Sequence, residues 1–311
     1  MIMKKIFVIV AAAMLLMVSA EGVSAQTTKE EFASRYAMLA GKLGYDGLGI
    51  ETLITKWEAA FPDDVNMLIA KYNYYLTKSR YEKVEAKDRE KFMGEAPVLS
   101  LKDSTGRPVN YFREVFFEDE MYGIATAAID KAIRLSQNDA SLRFNKIEAL
   151  IAYEKESPDM ATASLKSLLD YNCNSHPSWT WGSEPFTDAD FLGAVTDFCY
   201  VFFKIGSPAS YESFRSISEK ILAYYPKNEV ALNNLGTYYM VAKKDYKTAL
   251  KYYDKTLKID KDNYGAAKNA IMVCRKTGNT KLEKKYLKIL AQCSPDQLER
   301  DAANVRLEAL K

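Results

Sequence analysis

The residue types that carry most enzymatic chemistry are sparse in this sequence. It holds a single histidine, His176, so a Ser-His-Asp or Cys-His pair would depend on that one loop residue. Cys173 and His176 have the spacing of two metal ligands, but a zinc site takes three or four protein ligands and no second pair accompanies them. No G-x-S-x-G elbow occurs. A glycine-rich run from Gly41 to Gly49 contains Lys42, yet Leu43 follows it where a phosphate loop needs Ser or Thr. A flexible turn between helices is the plainer reading. The acidic run Glu118-Asp119-Glu120 suits the electropositive start of a helix better than a general-acid pair. No constellation for catalysis emerges, and the expectation is a protein that is not an enzyme and uses no metal or cofactor. Trp179 and Trp181 stand two apart near His176. Their flat faces would suit a sugar ring or a partner protein, and they would equally suit a gap in the packing.

Composition narrows the class further. Of 311 residues, 48% are hydrophobic and only 14 are Gly and 9 Pro, which excludes a disordered or collagen-like chain. Lys and Arg number 43 against 41 Asp and Glu, a formal net charge of +2. That balance supplies no electrostatic case for nucleic acid or an anionic membrane surface. Residues 1–25 read as a secretory signal peptide: Lys4 and Lys5, an apolar run from Ile6 to Val18, then small residues to Val23-Ser24-Ala25. Val18-Ser19-Ala20 is an alternative cut. The apolar run is shorter than the ~20 residues of a membrane span. The expectation is export to the periplasm or beyond, with no integral membrane segment in the mature chain. Its 4 cysteines are too few, and too spread out, for a small disulfide scaffold, and free, mostly buried thiols are expected.

The elements that must position any site are helices in pairs. Between Asn228 and Asn263, Leu232, Leu235, Gly236 and Tyr239 lie at helical spacing, and Ala249, Tyr253 and Thr256 follow after a turn at Lys243-Lys244-Asp245. Residues 264–293 continue the period, with Asn269 lying 35 positions after Asn234 and Gly278 in the turn. Ala125, Ile129 and Ala132, then Asn145, and then Ala161, Leu165 and Leu168 restate it earlier. This pattern resembles the tetratricopeptide repeat (TPR), whose period is about 34 residues. The chain as a whole resembles exported bacterial TPR proteins. The resemblance implies an all-α fold over residues 26–311, a TPR-like right-handed superhelix of antiparallel helical hairpins, six of them with a capping helix over about 295–310. Gly236 and Ala249 would let paired helices approach closely, while Tyr239 and Tyr253 would fill the space between that pair and the next.

Two insertions interrupt the period, over about 80–117 and 172–186. In the first, Leu99-Ser100-Leu101-Lys102 alternates apolar with polar, Asp103 to Gly106 is a turn signal, and Val109-Asn110-Tyr111 alternates again, which predicts a small β-hairpin. The second carries His176, Trp179 and Trp181. In a superhelix of this kind the first helix of each hairpin lines the concave face. Asn73, Asn145, Glu148, Asn233, Asn234, Lys268, Asn269 and Arg275 fall there, and an asparagine amide can hold a peptide backbone through a donor and an acceptor in one plane. The same residues also suit an ordinary solvated helix face. The leading expectation is a protein-protein interaction scaffold in the cell envelope, binding a protein or peptide on that face. The alternative is a glycan-associated binding protein using the Trp179/Trp181 loop.

Overall fold

The computed structural model describes residues 27–310. The expected signal peptide, residues 1–25, lies outside them. Thirteen α-helices dominate the described residues, with one three-stranded antiparallel sheet and one two-stranded ribbon. Most of the helices start at a residue whose side chain caps the first turn; those beginning at Ile50 and Asp159 have no side-chain cap. Thr28 and Glu31 form a capping box at the first helix. Asn228, Asn263 and Asn279 each accept a backbone N–H three residues on. Gly278 ends its helix in the left-handed region at φ 67°, where a side chain would be strained.

The chain divides into two compact units. The first holds residues up to Lys155 together with Pro177–Ala194, and the second Glu156–His176 together with Val195–Lys311. In the first unit, helices α1 (Lys29–Leu43), α2 (Ile50–Ala60), α3 (Val65–Ser79), α4 (Asp119–Leu135) and α5 (Ala140–Glu154) surround one apolar cluster. Trp57 is fully buried, stacks on Phe32 at 5.7 Å and donates its indole N–H to Asp64 at 3.0 Å. Asp64 in turn caps α3, so one carboxylate both starts a helix and satisfies the buried indole.

Strands β1 (Arg80–Lys87), β2 (Leu99–Lys102) and β3 (Pro108–Phe117) form the sheet in the order β1-β3-β2. The expected hairpin is present as β2 and β3, from Leu99 opposite Tyr111 to Lys102 opposite Pro108, and β3 is in addition the centre of three strands. Its unexpected partner β1 runs without a bulge from Arg80 opposite Phe117 to Lys87 opposite Asn110. The sequence of β1 alternates charges rather than apolar residues, so only its long-range pairing makes it a strand. Glu114, nearly buried on β3, receives Lys87 at 2.8 Å and Lys155 at 2.5 Å. Burial alone would raise its carboxyl pKa, but the two ammonium groups outweigh burial and hold it low.

The second unit contains α6 (Asp159–Ser175), α8 (Pro208–Tyr224), α9 (Glu229–Val241), α10 (Tyr246–Ile259), α11 (Tyr264–Thr277), α12 (Thr280–Cys293) and α13 (Gln297–Ala309). Helix α7 (Asp188–Ile205) begins in the first unit, where Thr187 and Asp190 cap it reciprocally, and continues into the second. The expected insertion over 172–186 begins later than predicted, because α6 continues to Ser175. Buried Asn172 donates to the Tyr225 hydroxyl at 3.4 Å, which anchors a polar turn that sequence alone would read as a loop. The four cysteines are free thiols, two of them buried.

Tyr253 shares one apolar cluster with Ala266, Ala267, Ala270 and Tyr286 of the next hairpin, and Tyr239 packs against that cluster, as expected. Tyr253 is fully buried, and a Cβ added at Gly236 would lie 2.4 Å from its ring. Gly236 therefore makes room for Tyr253 within its own hairpin. Tyr239 also stacks on Tyr252 of that hairpin at 5.6 Å. Ala249 is fully buried beside them in the same apolar cluster.

Candidate functional site

In the second unit, α9 and α11 place a row of polar side chains next to one another. On α9, Glu229, Asn233 and Thr237 recur every fourth residue and so share one face. Across from them, Asn263 donates to the Glu229 carboxylate at 3.3 Å. Asn269 donates to the Asn233 side-chain oxygen at 3.3 Å and to the Thr237 hydroxyl at 3.4 Å. Gly265 borders the row, and a Cβ there would lie at ordinary contact distance, 3.7 Å, from the Asn233 amide nitrogen. Within this row two amide atoms have no hydrogen-bond partner among the described residues: the Asn269 side-chain oxygen and the Asn233 side-chain nitrogen. Together they offer one acceptor and one donor, the complement of a peptide unit.

The predicted cations do not join this row. Lys268 donates to the Tyr264 hydroxyl and the Glu299 carboxylate, both at 2.7 Å. Arg275 pairs with Glu283 at 2.9 Å, and Arg306 pairs with the same carboxylate at 3.0 Å. Each is thus tied to a carboxylate of a later helix, which fastens α13 to α11 and α12. Asn234 is half-buried but forms no hydrogen bond with Asn269; its neighbour Asn233 does. A helix turns about 100° per residue, so adjacent asparagines cannot face the same partner.

These carboxylates predict an acid response. Lys268 beside Glu299, and the Tyr238 hydroxyl with Lys243 at Glu212, push both pKa values down to about 2 from 4.5. A group lowered on folding stabilises the native state above its unfolded pKa and loses that contribution as pH falls through the folded one. Thermal stability of the protein should therefore be level above pH 4.5 with respect to these groups and decline between 4.5 and about 2. Glu212→Gln and Glu299→Gln should flatten that decline in a pH series of melting temperatures. An unchanged slope in both variants would contradict the assignment.

The first unit holds a smaller polar group. Asn145 and Glu148 lie one turn apart on α5, and the Tyr72 hydroxyl of α3 donates to the Asn145 carbonyl at 3.1 Å. Burial raises the Glu148 carboxyl pKa. Asn73, the next residue on α3, lies near the Tyr36 hydroxyl.

The tryptophans face inward. Trp179 is 4% exposed and stacks on Phe191 at 5.6 Å with an interplanar angle of 7°. Trp181 is half-buried in the ribbon β4 (Thr180–Trp181) and β5 (Glu184–Pro185), stacked on Phe144 at 6.0 Å. His176 belongs to the second unit, exposed at the end of α6 in the left-handed region at φ 44°. No group of three or more His, Cys, Asp or Glu residues able to hold a metal is present among the described residues. No described helix is long and apolar enough to cross a membrane.

No family model matches the chain, and neither does any curated protein.

Of the polar row, the sequence reading found Asn233 and Asn269 but missed Glu229, Thr237, Asn263 and Gly265. The fourfold spacing of Glu229, Asn233 and Thr237 was the available signal. Asn263 and Gly265 could be assigned only once α11 was seen to lie beside α9.

Proposed function

We propose that residues 228–293 are two consecutive TPR-type hairpins, stacked in the right-handed sense, and that the protein is an exported scaffold which binds a protein or peptide. The observation that supports this reading is the Asn233/Asn269 pair. Two amides from successive first helices hold each other in place and leave a donor and an acceptor directed at no other side chain. Such a pair can recognise an extended backbone regardless of its sequence, which is the requirement for a scaffold. The export component is supported by residues 1–25 and by the signal-peptide pattern they carry. The glycan reading is weakened by the burial of Trp179, which leaves that ring no open face for a sugar.

The test is selection from a random peptide library on immobilised protein, repeated with the Asn233→Ala/Asn269→Ala double variant. Peptides enriched on the wild type should bind the double variant about tenfold more weakly or worse, since two hydrogen bonds at about 0.5–1.5 kcal/mol each are removed. Melting temperature should change little, because both residues are only partly buried. Equal binding by a folded double variant would remove this face from the binding site.

A further inference from the structure

The three-stranded sheet of the first unit has two edges, and they differ. Strand β2 has four residues and is preceded by Pro97, a short and interrupted edge of the kind that resists further pairing. Strand β1 has eight residues, contains no proline, and pairs with β3 without a bulge. Its outer backbone groups bond to no other element among the described residues. Val84 is 57% and Tyr81 43% exposed along this edge. A long edge of this kind is a template for another strand, and its five charges, Arg80, Glu82, Lys83, Glu85 and Lys87, restrict it to a strand that complements them.

The side chains indicate which strand. A second copy of β1 would pair antiparallel about a two-fold axis normal to the sheet, which keeps the two faces of the sheet continuous. The axis must then pass through a residue that meets its own copy. Four such registers pair five or more residues of β1, centred on Glu82, Lys83, Val84 or Glu85. Three of them place a charge against itself on the axis. Only the register centred on Val84 avoids this. It sets Lys83 opposite Glu85, Tyr81 opposite Lys87 and Glu82 opposite Ala86, and just beyond the strand Arg80 opposite Asp88. Valine meets valine at the centre, and the opposite charges occur twice each by symmetry. Lys83 lies over the Tyr81 and Phe116 rings, and neither it nor Glu85 has an oppositely charged partner among the described residues.

We propose that β1 is a self-association edge: two copies of the chain pair through Arg80–Lys87, antiparallel and centred on Val84, extending the sheet to six strands. The partner is a second copy because the charge order of the strand is complementary to its own reverse.

Sedimentation of the full chain over a range of concentrations tests this. The wild type should show a reversible monomer–dimer equilibrium. Lys83→Glu and Glu85→Lys should each weaken dimerisation by about tenfold or more, since each turns both central pairs into like-charge contacts. Val84→Arg, which sets two positive charges on the axis, should do the same. The double exchange Lys83→Glu/Glu85→Lys restores opposite charges and should return the dissociation constant to within about threefold of wild type. Circular dichroism verifies that each variant is folded, and Val84→Arg keeps the comparison intact should either charge reversal misfold. A wild type that stays monomeric would overturn the proposal. So would a dimer indifferent to all three single changes, or a folded double exchange that fails to recover.

Discussion

Replacing Tyr253 by alanine should destabilise the second unit by about 3–5 kcal/mol, the range for truncating a buried aromatic ring. The ring is 0% exposed and fills the space that Gly236 leaves open on the facing helix. Its hydroxyl lies 3.4 Å from Thr237 and 3.9 Å from the Met240 sulfur, so truncation also empties a polar contact near the Asn233/Asn269 row. The companion change acts from the opposite side. Gly236→Ala would set a methyl 2.4 Å from a ring carbon, and overpacking of this type costs about 1–3 kcal/mol. Urea denaturation of both variants measures the two effects. A Tyr253→Ala protein within about 1 kcal/mol of wild type would show that α9 and α10 do not pack through this ring.

Glu114→Gln should cost the first unit about 3–5 kcal/mol, the penalty for removing one partner from a buried ion pair. The Glu114 side chain is 8% exposed, and Lys87 and Lys155 are only 24% and 23% exposed. The amide keeps the shape but leaves two half-buried ammonium groups without a counter-charge. Lys155 also lies over the Phe116 ring at 3.6 Å, a contact it would give up on moving fully into water. Lys155→Met should cost less than Glu114→Gln, because Lys87 would still neutralise the carboxylate. Equal stability of Glu114→Gln and wild type in urea denaturation would mean that the lysines rearrange freely into solvent.

Much of the helical architecture was legible because its signals are local. Capping residues such as Thr28, Asn228 and Asn263 mark helix starts within four residues of sequence, and Gly278 marks an end. Ala249 and Tyr253 could be assigned to the interior from their spacing alone, and both are fully buried. That the Tyr253 ring also fits beneath Gly236 in its own hairpin is a matter of helix rotation that spacing does not specify. Strand β1 was missed outright, since Arg80 to Lys87 carries no apolar alternation and becomes a strand only against β3. The inward packing of Trp179 required Phe191, twelve residues away, to be placed beside it.

The candidate site divides along the same line. Asn233, Asn269, Lys268 and Arg275 were all readable as polar positions on first helices. Which of them remained available was not. Lys268 and Arg275 are taken up by Glu299 and Glu283, while Asn233 and Asn269 take up each other and keep an acceptor and a donor spare. Residue type and periodicity act over one or two helical turns, and they suffice to specify where helices begin, end and turn a face inward. Which polar groups cancel and which stay open depends on pairs brought together from different helices, over 8 residues for Arg275 and Glu283 and 31 for Lys268 and Glu299. Such meetings are settled by packing, as in the fit of the Tyr253 ring against Gly236.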